Sequence, residues 1–194
     1  MHVLLIYAHP NPDSFQSALH KTARDALIAA GHEVDDCDLY AEGFAPVLTQ
    51  SDLARYHDLA RNREEVAAHA ERLARATGVV FVYPTWWYGM PAILKGYFDR
   101  VWLPGIAFEL VEGGAHPRLL QIQKMAVVTT YGSPWWRNKL VLGDPARKVF
   151  MRGVASSFAP GTEKIWLAQY GMDQIDEDQR KRFLAKVAAR LARF

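Results

Sequence analysis

The stretch from Val79 to Trp102, VVFVYPTWWYGMPAILKGYFDRVW, places the strongest constraint on how this chain folds. It begins with an apolar, largely β-branched run, Val79 to Tyr83, which is typical of a parallel strand covered on both faces. Pro84 to Met90 then form a turn rich in aromatic residues, and Pro91 opens an amphipathic helix in its first turn. The apolar positions of that helix recur at three- and four-residue steps: Ile93, Leu94, Tyr97, Phe98, Val101 and Trp102. A buried strand therefore delivers three adjacent aromatic residues to its carboxyl end, where ligands bind in open α/β sheets.

The three aromatic residues of this turn have two interpretations. A single ring near a strand end usually only packs, because large rings contribute much of the buried area of a core. Trp86, Trp87 and Tyr88 together exceed what one short turn buries, so we expect part of their ring surface at the crevice. A flat conjugated ligand would cover that surface. The turn therefore predicts a planar cofactor.

Composition and charge restrict the number of domains and the classes of function. A chain of 194 residues is long enough for one well-buried α/β domain, so a single domain over residues 1–194 is expected. The net charge of +2 is too small to indicate nucleic-acid binding, and no apolar run is long enough for membrane insertion. The N-terminus has no basic leader or cleavage site, which favours a cytoplasmic protein. Cys37, the only cysteine, lies among acids that raise its pKa, and it offers neither a disulfide nor a thiolate metal site.

Four further runs predict strands, and helical patterns separate them. The strand candidates are Val3–Tyr7, the weaker edge candidate Glu33–Leu39, Lys124–Thr130 and Lys164–Leu167. The first helix candidate begins at a cap on Asp13 or Ser14 and stops at Gly31. A second begins after Ser51, and the third spans Val66–Ala76. After the central segment, a further helix candidate spans Pro145–Val154 and the last begins at Asp176. On the first of these, Phe15, Ala18, Leu19, Thr22, Ala26 and Leu27 trace one apolar face. Residues 106–114 form an excursion before the fourth strand. Five strands alternating with helices predict a doubly wound parallel sheet with helices on both faces.

Three strand-to-helix loops are expected to meet, because the first, third and fourth strands lie at the centre of such a sheet. The first loop offers His9, Ser14, Phe15 and Gln16 at a helix N-terminus, which favours an anionic phosphate, although Ser14 could serve only as a cap. The third loop offers Thr129, Thr130, Tyr131 and Gly132, where a glycine permits close backbone approach. Neither a G-x-G-x-x-G fingerprint nor a P-loop is present. A phosphate site in the first loop, flat aromatic rings in the second and backbone donors around them are the features that a flavin nucleotide needs.

Three segments carry a family resemblance: LLIYAHPNPDSFQSAL, YPTWWYGMPAILKGYFDRVW and TTYGSP. They resemble the flavodoxin-like NAD(P)H:quinone oxidoreductases, the DT-diaphorase type and its bacterial relatives, over nearly the whole chain. The resemblance implies a flavodoxin-like homodimer with a noncovalent flavin near the dimer interface. It also implies FAD, with FMN as the alternative, NAD(P)H as the electron donor, and a quinone or similar small molecule as the acceptor.

The resemblance also implies roles for the residues of the three loops. The flavin diphosphate region would contact His9, Ser14, Phe15 and Gln16. The isoalloxazine would contact Pro84, Thr85, Trp86, Trp87 and Tyr88 on one side, and Thr129, Thr130, Tyr131 and Gly132 on the other. No side chain is named as an acid or base, because the flavin carries the hydride.

The chain departs from the DT-diaphorase pattern after its paired threonines. That pattern has a double glycine followed by a tyrosine and a histidine, whereas Tyr131 and Gly132 are followed here by Ser133 and Pro134. Trp135 and Trp136 could line the acceptor pocket, pack into the core or contact a second protomer. Arg137 could face the flavin or the solvent.

Two functions other than an oxidoreductase stay open. One is a flavin-binding cytoplasmic regulatory subunit of a potassium-efflux system, which retains the same motifs, and the other is an electron carrier.

Overall fold

The fold is organised around one parallel sheet, seen in a computed structural model that describes residues 1–194. In chain order the strands are β1 (His2–Tyr7), β2 (Glu33–Asp38), β3 (Gly78–Thr85), β4 (Phe108–Val111), β5 (Gly114–Pro117), β6 (Lys124–Tyr131) and β7 (Glu163–Gln169). Five of them pair in parallel in the order β2-β1-β3-β6-β7, with β1, β3 and β6 at the centre and the acid-rich β2 at an edge. This arrangement confirms the predicted sheet and its edge strand.

Helices cover both faces of the sheet. They are α1 (Phe15–Ala29), α2 (Gln50–Arg55), α3 (Ala67–Arg75), α4 (Ala92–Val101), α5 (Pro145–Lys148) and α6 (Glu177–Leu191). One apolar core joins α1 and α6 to one face, and a larger core joins α3, α4 and residues 150–158 to the other. The doubly wound α/β class is therefore confirmed. The longest helices, α1 and α6, have 15 residues each, and no helix combines the length and apolarity needed to cross a bilayer.

Local sequence signals fix most helix ends. Ser14 caps α1 by accepting from the N–H of Ser17, which decides between the two predicted caps, and Gly31 takes the left-handed conformation after the helix (φ 81°). Asp176 and Gln179 form the predicted capping box of α6. Ala18, predicted on the apolar face of α1, is exposed instead.

Other predicted boundaries are wrong by small margins. The second helix begins before Ser51, because Thr49 and Asp52 form a capping box that starts α2 at Gln50. Pro91 is the N-cap of α4 rather than its first helical residue, since its ψ of 151° is extended. The predicted helix over Pro145–Val154 keeps α-helical bonding only to Lys148 and continues as a π-helical turn and a short 3₁₀ turn. The predicted excursion over residues 106–114 is instead part of an antiparallel hairpin, in which β4 and β5 pair.

Cys37 is fully buried in β2. Burial is the main reason that its pKa lies far above its ordinary value, and the Arg72 guanidinium lowers the pKa only in part. The neighbouring carboxylates Glu42 and Asp35 raise the pKa further, as the sequence predicted for acidic neighbours. The thiol is therefore held in its unreactive form.

Candidate functional site

The carboxyl ends of the central strands form one crevice. A cavity of about 430 Å³ lies there, and another of about 250 Å³ adjoins it through the shared residues Thr85, Trp87 and Gly132. The larger cavity is lined by Pro84, Thr85, Trp86, Trp87, Thr130, Gly132, Met172 and Asp173, and the smaller by Thr85, Trp87, Tyr88, Tyr131, Gly132 and Ser133. Most of the predicted site residues thus line one continuous space whose size is typical of ligand pockets.

The aromatic turn has an unusual backbone. Trp86 and Gly89 exchange two backbone hydrogen bonds of 3.1 and 3.0 Å, so Trp87 and Tyr88 are the central residues of a tight two-residue turn. Both have positive φ angles, 49° and 60°, which is the pattern of a type I′ turn that normally uses asparagine and glycine. Their backbone N–H groups have no acceptor in the protein. The Trp87 side chain is 97% exposed, so the strained turn presents a free ring and two free donors at the cavity.

The first loop is ordered by His9 and Ser14. The His9 Nδ1 lies 3.1 Å from the Asn11 N, 3.2 Å from the Asn11 carbonyl oxygen and 3.0 Å from the Ser14 hydroxyl. The His9 ring lies 6.0 Å from the Trp86 ring between centroids, which places the first loop beside the aromatic turn. The His9 Nε2 has no partner within the protein, so this side of the ring is available to a ligand.

The N-terminus of α1 retains two donors. The N–H of Ser17 is bonded to the Ser14 side chain and that of Ala18 to the Ser14 carbonyl, whereas the N–H groups of Phe15 and Gln16 have no acceptor in the protein. The first turn of α1 carries no acidic side chain. Free N–H groups and the positive end of the helix dipole are the features that bind phosphate.

Two predicted residues lie below the cavity rather than at its surface. The Gln16 side chain is buried and its Oε1 accepts from the Thr130 hydroxyl at 3.1 Å, which ties α1 to β6. The Thr129 side chain is fully buried, with its hydroxyl 2.8 Å from that of Thr85. From this arrangement we expect Gln16 to contact a ligand only through its backbone N–H. Thr129 would act on a ligand only indirectly, through the Thr85 hydroxyl beside it.

Met172 and Asp173 are cavity residues that the sequence analysis missed. They lie in the loop after β7, which is held to the third loop by bonds from Gly171 N–H to the Ser133 carbonyl and from Met172 N–H to the Tyr131 carbonyl. A Cβ on Gly132 would lie 3.3 Å from the Asp173 carboxylate, so glycine permits this close approach. Their signal was available, because the fifth strand also ends at this edge of the sheet.

Trp135, Trp136 and Arg137 do not line either cavity. All three side chains are exposed, next to the exposed apolar residues Leu140 and Val141. The two tryptophans therefore do not pack into the core of the protomer, which removes one of the three interpretations left open by the sequence.

The sequence of this chain matches a known protein family. The family model described as "Flavodoxin-like fold" matches residues 1–158, which is well over half of the chain. The chain belongs to this flavodoxin-like family. The family resemblance inferred from the three sequence segments is thereby confirmed, together with the flavodoxin-like sheet.

Relatives within the flavodoxin-like family are named as oxidoreductases. An uncharacterized NAD(P)H oxidoreductase of Escherichia coli K12 is 37% identical over 111 residues, which cover 55% of each chain. The ribosyldihydronicotinamide dehydrogenase [quinone] of Pongo abelii is 34% identical over 149 residues, which cover 68% of this chain and 64% of the relative. The chain thus spans between about half and two thirds of the length of these relatives. The structure of the NAD(P)H:quinone oxidoreductase from Methanothermobacter marburgensis superposes with a TM-score of 0.82 at 29% identity, covering 99% of this chain and 94% of that one.

Proposed function

We propose that this chain is a flavin-dependent oxidoreductase that accepts electrons from NAD(P)H and delivers them to a quinone or a related small molecule in alternating steps. The names of its relatives support the reaction class, because they include NAD(P)H oxidoreductases and quinone dehydrogenases. We further infer that residues 1–194 act as one domain in the cytoplasm and that FAD, rather than FMN, is the resident flavin. The choice of FAD rests on the resemblance of the first loop.

One observation carries the proposal. A strained turn presents two unbonded N–H groups and a nearly fully exposed indole on one side of a cavity, and the N-terminus of α1 presents two more unbonded N–H groups. N–H groups without a protein acceptor are available to a ligand acceptor, and an exposed indole is available to stack on a flat ring. A flavin nucleotide supplies carbonyl and ring-nitrogen acceptors, a flat ring system and phosphate in one molecule, so the residues present fit it.

The chain's residues would position the flavin and exclude water. Phosphate would be held by the N–H groups of Phe15 and Gln16, with the His9 ring and Ser14 beside them. The ring system would be held by the turn from Pro84 to Tyr88 and by Thr130, Tyr131 and Gly132, with Thr129 supporting Thr85 from below. When bound, the flavin supplies the capacity to take up a hydride and release two electrons.

We also propose a homodimer that covers the apolar surface next to the site. This surface consists of Trp135, Trp136, Leu140 and Val141, each at least half exposed in the protomer. Exposed large apolar residues concentrated in one short segment favour an interaction site. Sedimentation of the purified protein tests the proposal, and a monomer at micromolar concentration would contradict it.

Visible absorption spectra test the enzyme proposal directly. The purified protein is reconstituted separately with FAD and FMN, then mixed anaerobically with NADPH or NADH and afterwards with a quinone. We expect the bound-flavin spectrum to bleach with at least one nucleotide and to return with quinone, and the tighter flavin to be FAD. Flavin that binds but is not reduced by either nucleotide would contradict the oxidoreductase and favour the regulatory subunit. Failure of both flavins to bind would refute the site itself.

A further inference from the structure

Three side chains of the types that bind transition metals meet beside the edge strand β2. They are Cys37 on β2, Glu42 in the turn after it and His69 on α3, and one ligand atom from each lies within 4.8 Å of the other two. None of them lines the two cavities of the candidate site. One cysteine cannot form a metal site by itself, and none was predicted from the sequence. The fold adds a nitrogen ligand and an oxygen ligand to the sulfur.

The distances between these atoms are close to those around a bound metal ion. The Cys37 Sγ lies 3.8 Å from the Glu42 Oε2 and 3.8 Å from the His69 Nδ1. The second His69 nitrogen, Nε2, lies 3.9 Å from the same Glu42 oxygen. In a tetrahedral Zn²⁺ site, with bonds of about 2.3 Å to sulfur and about 2.0 Å to nitrogen or oxygen, a sulfur ligand is about 3.5 Å from the other two. The two contacts of Cys37 would therefore shorten by only about 0.3 Å on binding.

Arg72 orients the Glu42 carboxylate and leaves its negative charge only partly balanced. The Arg72 Nη1 donates to both carboxylate oxygens of Glu42 at 2.8 and 2.9 Å, and the Arg72 Nη2 lies 2.7 Å from the Asp35 carboxylate. One guanidinium is thus shared between two carboxylates. Metal-ligating carboxylates are usually hydrogen-bonded in this way by a residue behind them. A Zn²⁺ ion with one thiolate and one carboxylate is neutral as a unit, so it would leave the pair of Arg72 and Asp35 intact.

The three side chains differ in exposure in a way that gives a metal ion access. Cys37 is fully buried, whereas the side chains of His69 and Glu42 are 16% and 32% exposed. The His69 ring is held by edge contacts with the rings of Phe44 and Tyr97, at 5.0 and 5.5 Å between centroids. An ion can therefore enter from the Glu42 side and meet an imidazole and a thiol that are already in position.

We propose that Cys37, Glu42 and His69 bind one Zn²⁺ ion, with water as the fourth ligand. Thiolate, carboxylate and imidazole are the donors that Zn²⁺ takes in proteins. The thiol S–H bond breaks as the Zn–S bond forms, and its proton passes to solvent, because a coordinating thiol is deprotonated. The ion joins β2 to α3 and so stabilises the acid-rich edge of the sheet. This inference does not depend on the proposed flavin chemistry.

Cobalt(II) tests the site, because it takes the place of Zn²⁺ and its thiolate complexes absorb light. The flavin-free protein is freed of metal with a chelator, dialysed and titrated with Co²⁺. We expect one Co²⁺ per chain, a sulfur-to-cobalt charge-transfer band in the near ultraviolet and the visible bands of a tetrahedral site, all lost when Zn²⁺ is added. Cys37 is the only cysteine, so the charge-transfer band can come from no other residue.

Substitution of each ligand separates this site from adventitious binding at surface histidines. Glu42→Gln and His69→Gln should each weaken Co²⁺ binding at least roughly 100-fold, since loss of a residue that only orients a ligand already costs about 10–100-fold. Cys37→Ser should abolish the charge-transfer band. The matched control is His116→Gln, which removes an exposed imidazole of β5 and should leave the affinity and the spectrum unchanged.

Thermal unfolding gives a second readout that needs no chromophore. Zn²⁺ should raise the Tm of the wild type and of His116→Gln but not that of Glu42→Gln or His69→Gln, because only a bound ion stabilises the folded state. If Cys37→Ser does not fold, as circular dichroism would show, the two variants at partly exposed positions still decide the result. No Co²⁺ binding, binding without a charge-transfer band, or wild-type affinity in Glu42→Gln and His69→Gln would each overturn the inference while the oxidoreductase stands.

Discussion

The backbone strain of the aromatic turn can be measured with two substitutions of one residue. Trp87→Ala removes the indole but keeps a Cβ at a φ of 49°, whereas Trp87→Gly removes both the indole and the cause of strain. The left-handed conformation costs an L-residue about 1–2 kcal/mol. Glycine also has more conformational freedom in the unfolded chain, which lowers the stability of the folded state by about 0.5–1 kcal/mol relative to alanine. Trp87→Gly should therefore be more stable than Trp87→Ala by about 0.8 kcal/mol, between limits of about 0 and 1.5 kcal/mol, which corresponds to about 2–3 °C in Tm for a chain of this size.

The same pair of variants measures the contribution of the ring to flavin binding. The indole is 97% exposed without a ligand, so covering one face, about half of a tryptophan's 150–250 Å², contributes about 2 kcal/mol. Both variants should thus bind flavin roughly 30-fold more weakly than the wild type.

The assays are thermal unfolding of the flavin-free proteins and titration with FAD followed by absorbance. Leu110→Ala is the control, because it truncates an exposed apolar residue of the β4–β5 hairpin that does not line the cavity. A Trp87→Ala protein at least as stable as Trp87→Gly would refute the strained turn. Full flavin affinity in both variants would refute the placement of the indole against the ring system.

Three further predictions concern other parts of the fold. Ser14→Ala removes the cap of α1 and should lower the free energy of unfolding by about 1 kcal/mol in urea titrations, with Ser14→Asp as the restoring control. Gly96→Ala should destabilise strongly or prevent folding, as circular dichroism would show, because its Cβ would lie 2.1 Å from the Pro46 carbonyl oxygen; wild-type stability would contradict the close packing. Burial would raise the pKa of Asp36, but its 2.7 Å contact with His20 and the charge of Arg24 hold the pKa below its ordinary value. The stability lost in Asp36→Asn should therefore be largest above about pH 4 and vanish as pH falls through the folded-state pKa, whereas a loss independent of pH would contradict the assignment.

The sequence predicted the sheet because its signals there were local and mutually consistent. Val79 to Tyr83 is apolar at every position and is fully buried on both faces in β3, and the acids of β2 do mark an edge. Once the strand order of a doubly wound sheet is adopted, the convergence of the three loops follows from topology alone. The identity of the lining residues was therefore largely available before any coordinates.

The missed features either carry a weak local signal or depend on contacts between segments distant in sequence. The β4–β5 hairpin was missed because its strands are four residues each and mostly exposed, so they carry little apolar alternation. Topology places Met172 and Asp173 at the correct edge of the sheet, because they follow its fifth strand, but only the backbone bonds to Ser133 and Tyr131 bring their loop to the cavity. Gln16 was assigned to a ligand from its position in the first loop, whereas its side chain bonds Thr130 on β6 across the core.

The backbone exceptions nearest the site lie in the aromatic turn. Trp87 and Tyr88 line the cavities, have positive φ although neither is glycine, and have backbone N–H groups without an acceptor in the protein. Backbone strain of this kind concentrates at functional sites. Trp87→Gly lacks the indole that would cover the flavin ring, so it should bind flavin more weakly than the wild type. Because stabilisation by a ligand grows with its affinity, flavin should raise the Tm of the wild type more than that of Trp87→Gly.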